Sequence, residues 1–153
     1  DNSLNNIKKA KLYQNKNLKF FKSDNYNAWG ILADSTLDVD YMENPNYEIE
    51  LKVNRYGKLP IYFGATCAGN GYELCRGTID VTQLFKNSKL TEWSKIKIPL
   101  SCLTSAGLDS SNIDIRMLLL TNGNWDIDMH SIYLTDNKNI PPVDCSNLSE
   151  GML

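Results

Sequence analysis

Hydrophobic and polar residues alternate along several short segments of the chain, with the two-residue period of a β-strand that has one buried face. In the clearest segment, Tyr47, Ile49, Leu51 and Val53 share one face, and the residues between them are charged. Similar segments recur at short intervals, separated by Asn, Asp, Gly and Pro, and no long amphipathic helix interrupts them. The pattern predicts an all-β fold, namely an antiparallel β-sandwich or jelly roll.

The predicted strands are short, and turn residues bound most of them. They cover residues 18–22, 29–33, 47–53, 60–65, 77–81, 93–100, 113–120 and 125–134. After the fifth strand, residues 82–86 predict one helical turn with Leu84 and Phe85 inward, following a cap at Asp80 or Thr82.

Three later segments carry local signals. Pro99 indicates that the strand 93–100 is an edge strand or ends there. Asn122-Gly123 lies between the last two strands and predicts a hairpin turn. In the last strand, Ile127 and Met129 define one face, but the alternation changes phase at 132–134, which predicts a β-bulge.

The length and charge of the chain limit its domain count and its partners. A chain of 153 residues is long enough for one domain with a continuous core, divided here into an extension (1–17), a sandwich (18–136) and an extended tail (137–153). The net charge is -2, and the lysines cluster only at positions 8–11, so no nucleic-acid partner is predicted. The longest apolar run, 117–120, is too short to cross a bilayer, so no membrane partner is predicted either.

Four cysteines allow three complete pairings. Cys67 and Cys75 bracket a loop in which Gly69 and Gly71 can supply the positive φ that brings two sulfurs together, so we predict a disulfide there. The alternative is a pair of reduced, buried thiols. The pairing of Cys102 and Cys145 is left open.

No catalytic constellation is visible in the sequence. Asp126 and Asp128 share one strand face, whereas glycoside hydrolysis needs carboxylates on opposite sides of the scissile bond. His130 has no Ser or Cys partner at motif spacing and is interpreted as an exposed strand residue. We therefore predict that the chain itself is not an enzyme.

The stretch from Cys67 to Leu134 resembles a known family. After the two cysteines comes Gly77-Thr78-Ile79-Asp80-Val81-Thr82-Gln83-Leu84-Phe85, similar to a Gly-x-(Leu/Ile)-Asp-(Leu/Val)-Thr-x-Leu signature. Trp93, residues 96–102, residues 106–109, and Thr121-x-Gly123 leading to Ile132-x-Leu134 follow in the same order. This succession resembles the C-terminal galactose-binding-like domain of bacterial exo-β-1,3/1,4-glucanases of glycoside hydrolase family 3. Leu103 departs from the usual Phe, and the tail with Cys145 is not covered.

The resemblance implies a galactose-binding-like sandwich that binds or positions carbohydrate. The implied ligand is a β-glucan, and the implied partner is the catalytic domain of a family 3 glycosidase. Together with the disulfide, this implies a secreted, periplasmic or cell-surface location. The alternative is a structural or protein-interaction domain that stabilises a catalytic partner without binding sugar, and it should show a large exposed apolar patch.

Galactose-binding-like domains most often hold their ligands in loops at one end of the sandwich, so the resemblance directs attention to loops. Sugar rings stack on aromatic side chains while their hydroxyls bind polar neighbours. The predicted carbohydrate-binding residues are two such loop pairs, Tyr26 with Trp29 and Arg55 with Tyr56.

The other two tryptophans are interpreted separately. Trp93 is predicted to be buried, as the resemblance and its place at a strand start both suggest. Trp125 follows a polar turn and is either a loop-end platform or a cover over the end of the sandwich.

No cofactor is predicted apart from structural calcium. A zinc site is not expected because the chain has one histidine and no CxxC unit. Sandwich modules often hold calcium through carboxylates, and no spacing selects among the candidate donors Asp34, Asp38, Asp40, Asp128 and Asp136.

Overall fold

The computed structural model describes residues 18–22, 27–69, 75–87, 90–135 and 144–147, which form eight strands and two short helices. The strands are β1 (Leu18–Lys22), β2 (Asn27–Leu37), β3 (Asn46–Arg55), β4 (Ile61–Cys67), β5 (Cys75–Asp80), β6 (Ser94–Pro99), β7 (Ile113–Thr121) and β8 (Asp126–Thr135). The helices are α1 (Thr82–Asn87) and α2 (Leu100–Ser105), and a 3-10 turn covers Cys145–Asn147.

The strands form two antiparallel sheets. The five-stranded sheet has the order β1-β2-β7-β4-β5, and the three-stranded sheet has the order β6-β3-β8. All of their strand pairs are antiparallel. The predicted all-β sandwich is confirmed.

The core lies between the two sheets. On β3, the alternating residues 47, 49, 51 and 53 are buried, as the period predicted, and they pack with residues of β4 and β7 from the other sheet. Tyr47 and Phe63 meet across this layer with their rings edge to face, 5.1 Å between centroids. Each such large apolar side chain contributes roughly 1.5–3 kcal/mol of burial free energy, so the alternation of β3 directly stabilises the sandwich.

Helix α1 confirms the predicted helical turn. Asp80 Oδ1 accepts a hydrogen bond from the Thr82 N–H at 2.9 Å, and the Thr82 hydroxyl accepts one from the Ile61 N–H, also at 2.9 Å. Phe85 is buried in the core, and Leu84 is partly buried against it. The local capping groups and the inward apolar pair are therefore those that the sequence indicates.

Helix α2 was not predicted. Leu100, Cys102 and Leu103 are its buried residues, and Gly107, just after its end, adopts a positive φ of 117°. A helix of six residues offers less than two turns of periodicity, so burial in the core stabilises it more than its own pattern does. No helix in the described part of the chain is long and apolar enough to cross a membrane.

Both cysteine pairs are disulfide-bonded. Cys67–Cys75 joins the end of β4 to the start of β5 with 4.9 Å between Cα atoms, which confirms the predicted bond. Gly71 of the intervening loop lies outside the described residues. Cys102–Cys145 ties α2 to the 3-10 turn, with a Cα distance of 5.3 Å, and this resolves the pairing left open by the sequence.

The predicted hairpin at Asn122-Gly123 is wrong. β7 pairs with β2 and β4, whereas β8 pairs with β3, so this turn crosses from one sheet to the other. The Gly123 N–H donates to Thr121 Oγ1 at 2.9 Å, and a Cβ on Gly123 would lie 3.0 Å from the Leu59 nitrogen. Asn-Gly marks a tight turn correctly, and this turn packs closely against Leu59 of the β3–β4 turn.

Candidate functional site

Polar and aromatic side chains cover the outer face of the three-stranded sheet. Directly opposed residues in antiparallel strands share a face, and the register brings together two adjacent rows across β6, β3 and β8. The rows are Lys97–Glu48–Tyr133 and Lys95–Glu50–Ser131. They border an open groove of about 230 Å³, called here the sheet-face groove, which is lined by Glu48, Glu50, Lys95, His130, Ser131 and Tyr133.

A β-bulge adds His130 to this groove. Ser131 pairs with Glu50 and Met129 pairs with Leu51, so His130 is the extra residue on β8. The predicted change of phase is therefore confirmed, two residues before the position at which the sequence showed it. His130, interpreted from the sequence as an exposed strand residue, lies in β8 and is partly exposed, and its Nδ1 lies 3.1 Å from Glu50 Oε1.

Two half-exposed aromatic residues flank the groove. Tyr133 lines it and is 46% exposed, and Trp93 is 47% exposed with its ring edge-on to His130 at 6.0 Å. The prediction that Trp93 is buried is wrong. Trp93 immediately precedes β6, and the alternation through Lys95 carries its position to the outer face.

The groove combines hydrogen-bond donors, acceptors and ring faces. Glu48 and Glu50 are half-buried acceptors, while Lys95 is an exposed donor. Lys97 shares a row with Glu48 but is only 2% exposed. Such a surface can hold a ligand that presents apolar faces and a rim of hydroxyl groups at the same time.

The predicted pair Arg55 and Tyr56 lies at the loop end of the sandwich, away from the groove. Arg55 ends β3, is exposed, and donates from Nε to the Asn124 carbonyl at 3.3 Å. Tyr56 is half-buried with its ring edge to face against Trp125, 6.0 Å between centroids. Both residues thus contact the β7–β8 turn.

Trp125 covers this end of the sandwich and is not a platform. It is fully buried, and its Nε1 donates to the Leu59 carbonyl at 2.8 Å. A Cβ on Gly57 would lie 2.3 Å from Trp125 Cδ1, so the β3–β4 turn touches the indole directly. Of the two interpretations made from sequence, the cover is confirmed.

The predicted pair of Tyr26 and Trp29 is only partly described. The backbone of Trp29 lies in β2, in register with Phe20 of β1 and Leu119 of β7, in the other sheet from Arg55. Tyr26 lies outside the described residues. Carbohydrate binding by Tyr26, Trp29, Arg55 and Tyr56 stays a prediction.

The acidic residues singled out by the sequence make local hydrogen bonds. Asp126 and Asp128 both accept from Asn54 Nδ2, at 3.4 Å and 3.1 Å. Asp38 Oδ1 accepts from the Asp40 N–H at 2.9 Å, and Asp40 Oδ1 accepts from a serine hydroxyl at 2.5 Å. Within the described ranges, no three His, Cys, Asp or Glu side chains form a metal-binding group. Calcium therefore stays a prediction, with the Asp34 side chain and Asp136 outside the description.

The two antiparallel sheets define the class of the fold, an all-β sandwich. The family model Exop_C, described as galactose-binding domain-like, matches residues 6–134 of this chain. The chain belongs to this family, and the resemblance found in the sequence is confirmed. No curated protein and no solved structure matches it. Membership indicates a carbohydrate-binding or accessory module.

Proposed function

We propose that this domain binds β-glucan without catalysing its hydrolysis, and positions it for the catalytic domain of a family 3 glycoside hydrolase. The observation that carries the proposal is the pairing of two half-exposed aromatic residues, Trp93 and Tyr133, with the polar groove that they flank. Exposed aromatics beside convergent polar groups are what sugar recognition requires.

The proposal moves the binding site from the loop end to the sheet face. At the loop end, Trp125 is buried and Tyr56 packs on it, so the stacking surface there is largely used inside the protein. On the sheet face, both aromatic residues keep about half of their surface accessible. Arg55 is an exposed cation of the loop end and serves as the contrasting position in the experiment.

The rival function, a purely structural or protein-docking domain, has less support. It called for a large exposed apolar patch. The large exposed hydrophobic residues of the described chain are Tyr41, Leu59, Trp93 and Tyr133, which occupy separate turns and the groove. The apolar cluster outside the main core, with Leu118 and Leu120, is at most 8% exposed in its buried members, so it offers little open surface.

The two disulfides support a location in an oxidising compartment. Disulfides persist in secreted, periplasmic and cell-surface proteins and are rare in reducing cytosol. We propose such a location because polymeric glucan is also met outside the cell.

The test is calorimetric titration of the chain with laminarin, mixed-linkage glucan and cello-oligosaccharides. We expect at least one of these glucans to bind, and Trp93→Ala and Tyr133→Ala each to weaken binding by about 1–3 kcal/mol, by analogy with aromatic stacking on other planar ligands. Tyr41→Ala is the matched control, because Tyr41 is 80% exposed in a turn outside the groove. Arg55→Ala should also bind normally.

Two results would contradict the proposal in different ways. If no glucan produced heat on titration, the proposal of carbohydrate binding would be contradicted. Normal binding by both groove variants, together with loss in Arg55→Ala, would return the site to the loop end that the sequence first indicated.

A further inference from the structure

The two aromatic residues of the groove are too far apart to contact one sugar ring. Ser94 pairs with Leu51 and Tyr133 pairs with Glu48, and these two partners are three residues apart on β3, which corresponds to roughly 10 Å of strand. Trp93 precedes Ser94 on the β6 side of β3, with its ring against His130, whereas Tyr133 lies on the β8 side. A ligand that stacks on both rings must therefore extend along the strand direction and cross β3.

The groove between these rings has mixed charge. Glu48 and Glu50 contribute carboxylates, Lys95 contributes an ammonium group, and His130 lies against Glu50. The two carboxylates outnumber the single ammonium group of the lining, so a polyanionic chain meets net repulsion in the groove. A chain without acidic groups avoids this repulsion, and its hydroxyls can donate to the carboxylates and accept from Lys95.

We propose that the sheet-face groove binds a linear oligosaccharide chain without acidic groups lengthwise, with Trp93 and Tyr133 stacking on different sugar units. The proposal rests on the carbohydrate-binding function proposed above and specifies its ligand. The domain then recognises a stretch of chain, and a single terminal sugar fills only one of its two stacking positions.

The experiment is a chain-length series with the full chain. Laminari- and cello-oligosaccharides from glucose to the hexasaccharide are titrated by calorimetry, with the series that binds in the glucan screen used for the variants. We expect affinity to rise at least about fivefold from the monosaccharide to the longer oligomers and then level off, the weak end of what a second stacking contact contributes.

The variants test the two-platform arrangement. Trp93→Ala and Tyr133→Ala should each flatten the rise, because one platform is left, and Tyr41→Ala should keep it. Both substituted rings are half-exposed, and either variant alone suffices if the other fails to fold. Glucose bound as tightly as the hexasaccharide, or a rise unchanged in a folded groove variant, overturns the inference while leaving carbohydrate binding intact.

An acidic chain tests the specificity. A hexamer of galacturonic acid should bind at least about tenfold more weakly than the neutral hexamer, since its carboxylates meet those of Glu48 and Glu50 in the groove. Equal or tighter binding of the acidic hexamer overturns the assignment of a non-acidic ligand. Absence of binding by every sugar overturns the proposed function itself and this inference with it.

Discussion

Trp93 and Trp125 occupy matching positions in the chain and opposite environments in the fold. Each immediately precedes an edge strand of the three-stranded sheet, Trp93 before β6 and Trp125 before β8. Trp93 is 47% exposed, whereas Trp125 is fully buried. Trp125 lies two positions before buried Ile127, and Trp93 lies two positions before exposed Lys95. The sheet face that each tryptophan shares with the residue two positions later, and not the residue type, decides which tryptophan builds the core.

Removing each ring in turn should give the largest difference in stability between the two tryptophans. Trp125→Ala leaves a large cavity beneath the β3–β4 turn and should lower the free energy of unfolding by about 3–5 kcal/mol. Trp93→Ala should change it by less than about 0.5 kcal/mol, as for a surface site. Urea unfolding followed by circular dichroism measures both. A comparable loss in the two variants would contradict the contrast.

The next largest effect concerns the five-stranded sheet. Breaking the Cys67–Cys75 bond by the double change Cys67→Ala and Cys75→Ala should lower stability by about 2–3 kcal/mol, because a short closed loop no longer restricts the unfolded chain. The bond lies in the sheet that does not carry the groove, so glucan affinity of the folded variant should be unchanged. Thermal melts with and without reductant, together with glucan titration, test this prediction. Weaker glucan binding by the folded variant would contradict it, because it would show that the disulfide affects the groove on the other sheet.

A smaller change tests the loop end without removing the indole. Gly57→Ala would place a Cβ 2.3 Å from Trp125 Cδ1 and 2.4 Å from Nε1, so a fully buried ring must move. Overpacking of this kind costs about 1–3 kcal/mol. The melting temperature of this variant should fall while groove binding stays normal. An unchanged melting temperature would show that the turn relaxes freely around the ring.

The smallest effect depends on pH. The hydroxyl and backbone N–H of Ser111 donate to Asp109 and hold the pKa of its carboxyl below the usual 3.8. A carboxyl whose pKa is lower in the folded state than in the unfolded state stabilises the fold at pH values above its unfolded pKa. This stabilisation is lost as the pH falls through the folded-state pKa. The stability difference between wild type and Asp109→Ala, small at pH 7, should therefore shrink as the pH is lowered from about 4. A pH-independent difference in melting temperature would contradict this origin.

Features set within one segment could be predicted from the sequence. The alternation of β3, the capped turn of α1 and the phase change of β8 depend on neighbouring residues, and all three are present. The alternation of Trp93 and Lys95 with Ile96 and Ile98 indicates an outer position for Trp93, so its burial, expected from the family resemblance and its place at a strand start, is a wrong prediction.

Features that depend on strand pairing could not be predicted. Asn122-Gly123 indicates a turn, but it does not indicate which sheet the next strand joins. The groove exists because β3 lies between β6 and β8, which brings Glu50 beside Lys95 and Ser131. The residues of the groove are separated by up to 85 positions in the chain, from Glu48 to Tyr133, so no local motif contains them.

The bond between Cys102 and Cys145 has a mechanical consequence. In the described structure β8 is an edge strand, so tension applied directly at Thr135 would peel it from β3 one hydrogen bond after another. A pull on the residues after Cys145 instead enters the domain at α2, where Cys102 and Leu103 are buried in the core. The covalent link bypasses β8, and the strand that carries His130 and Tyr133 is spared that load.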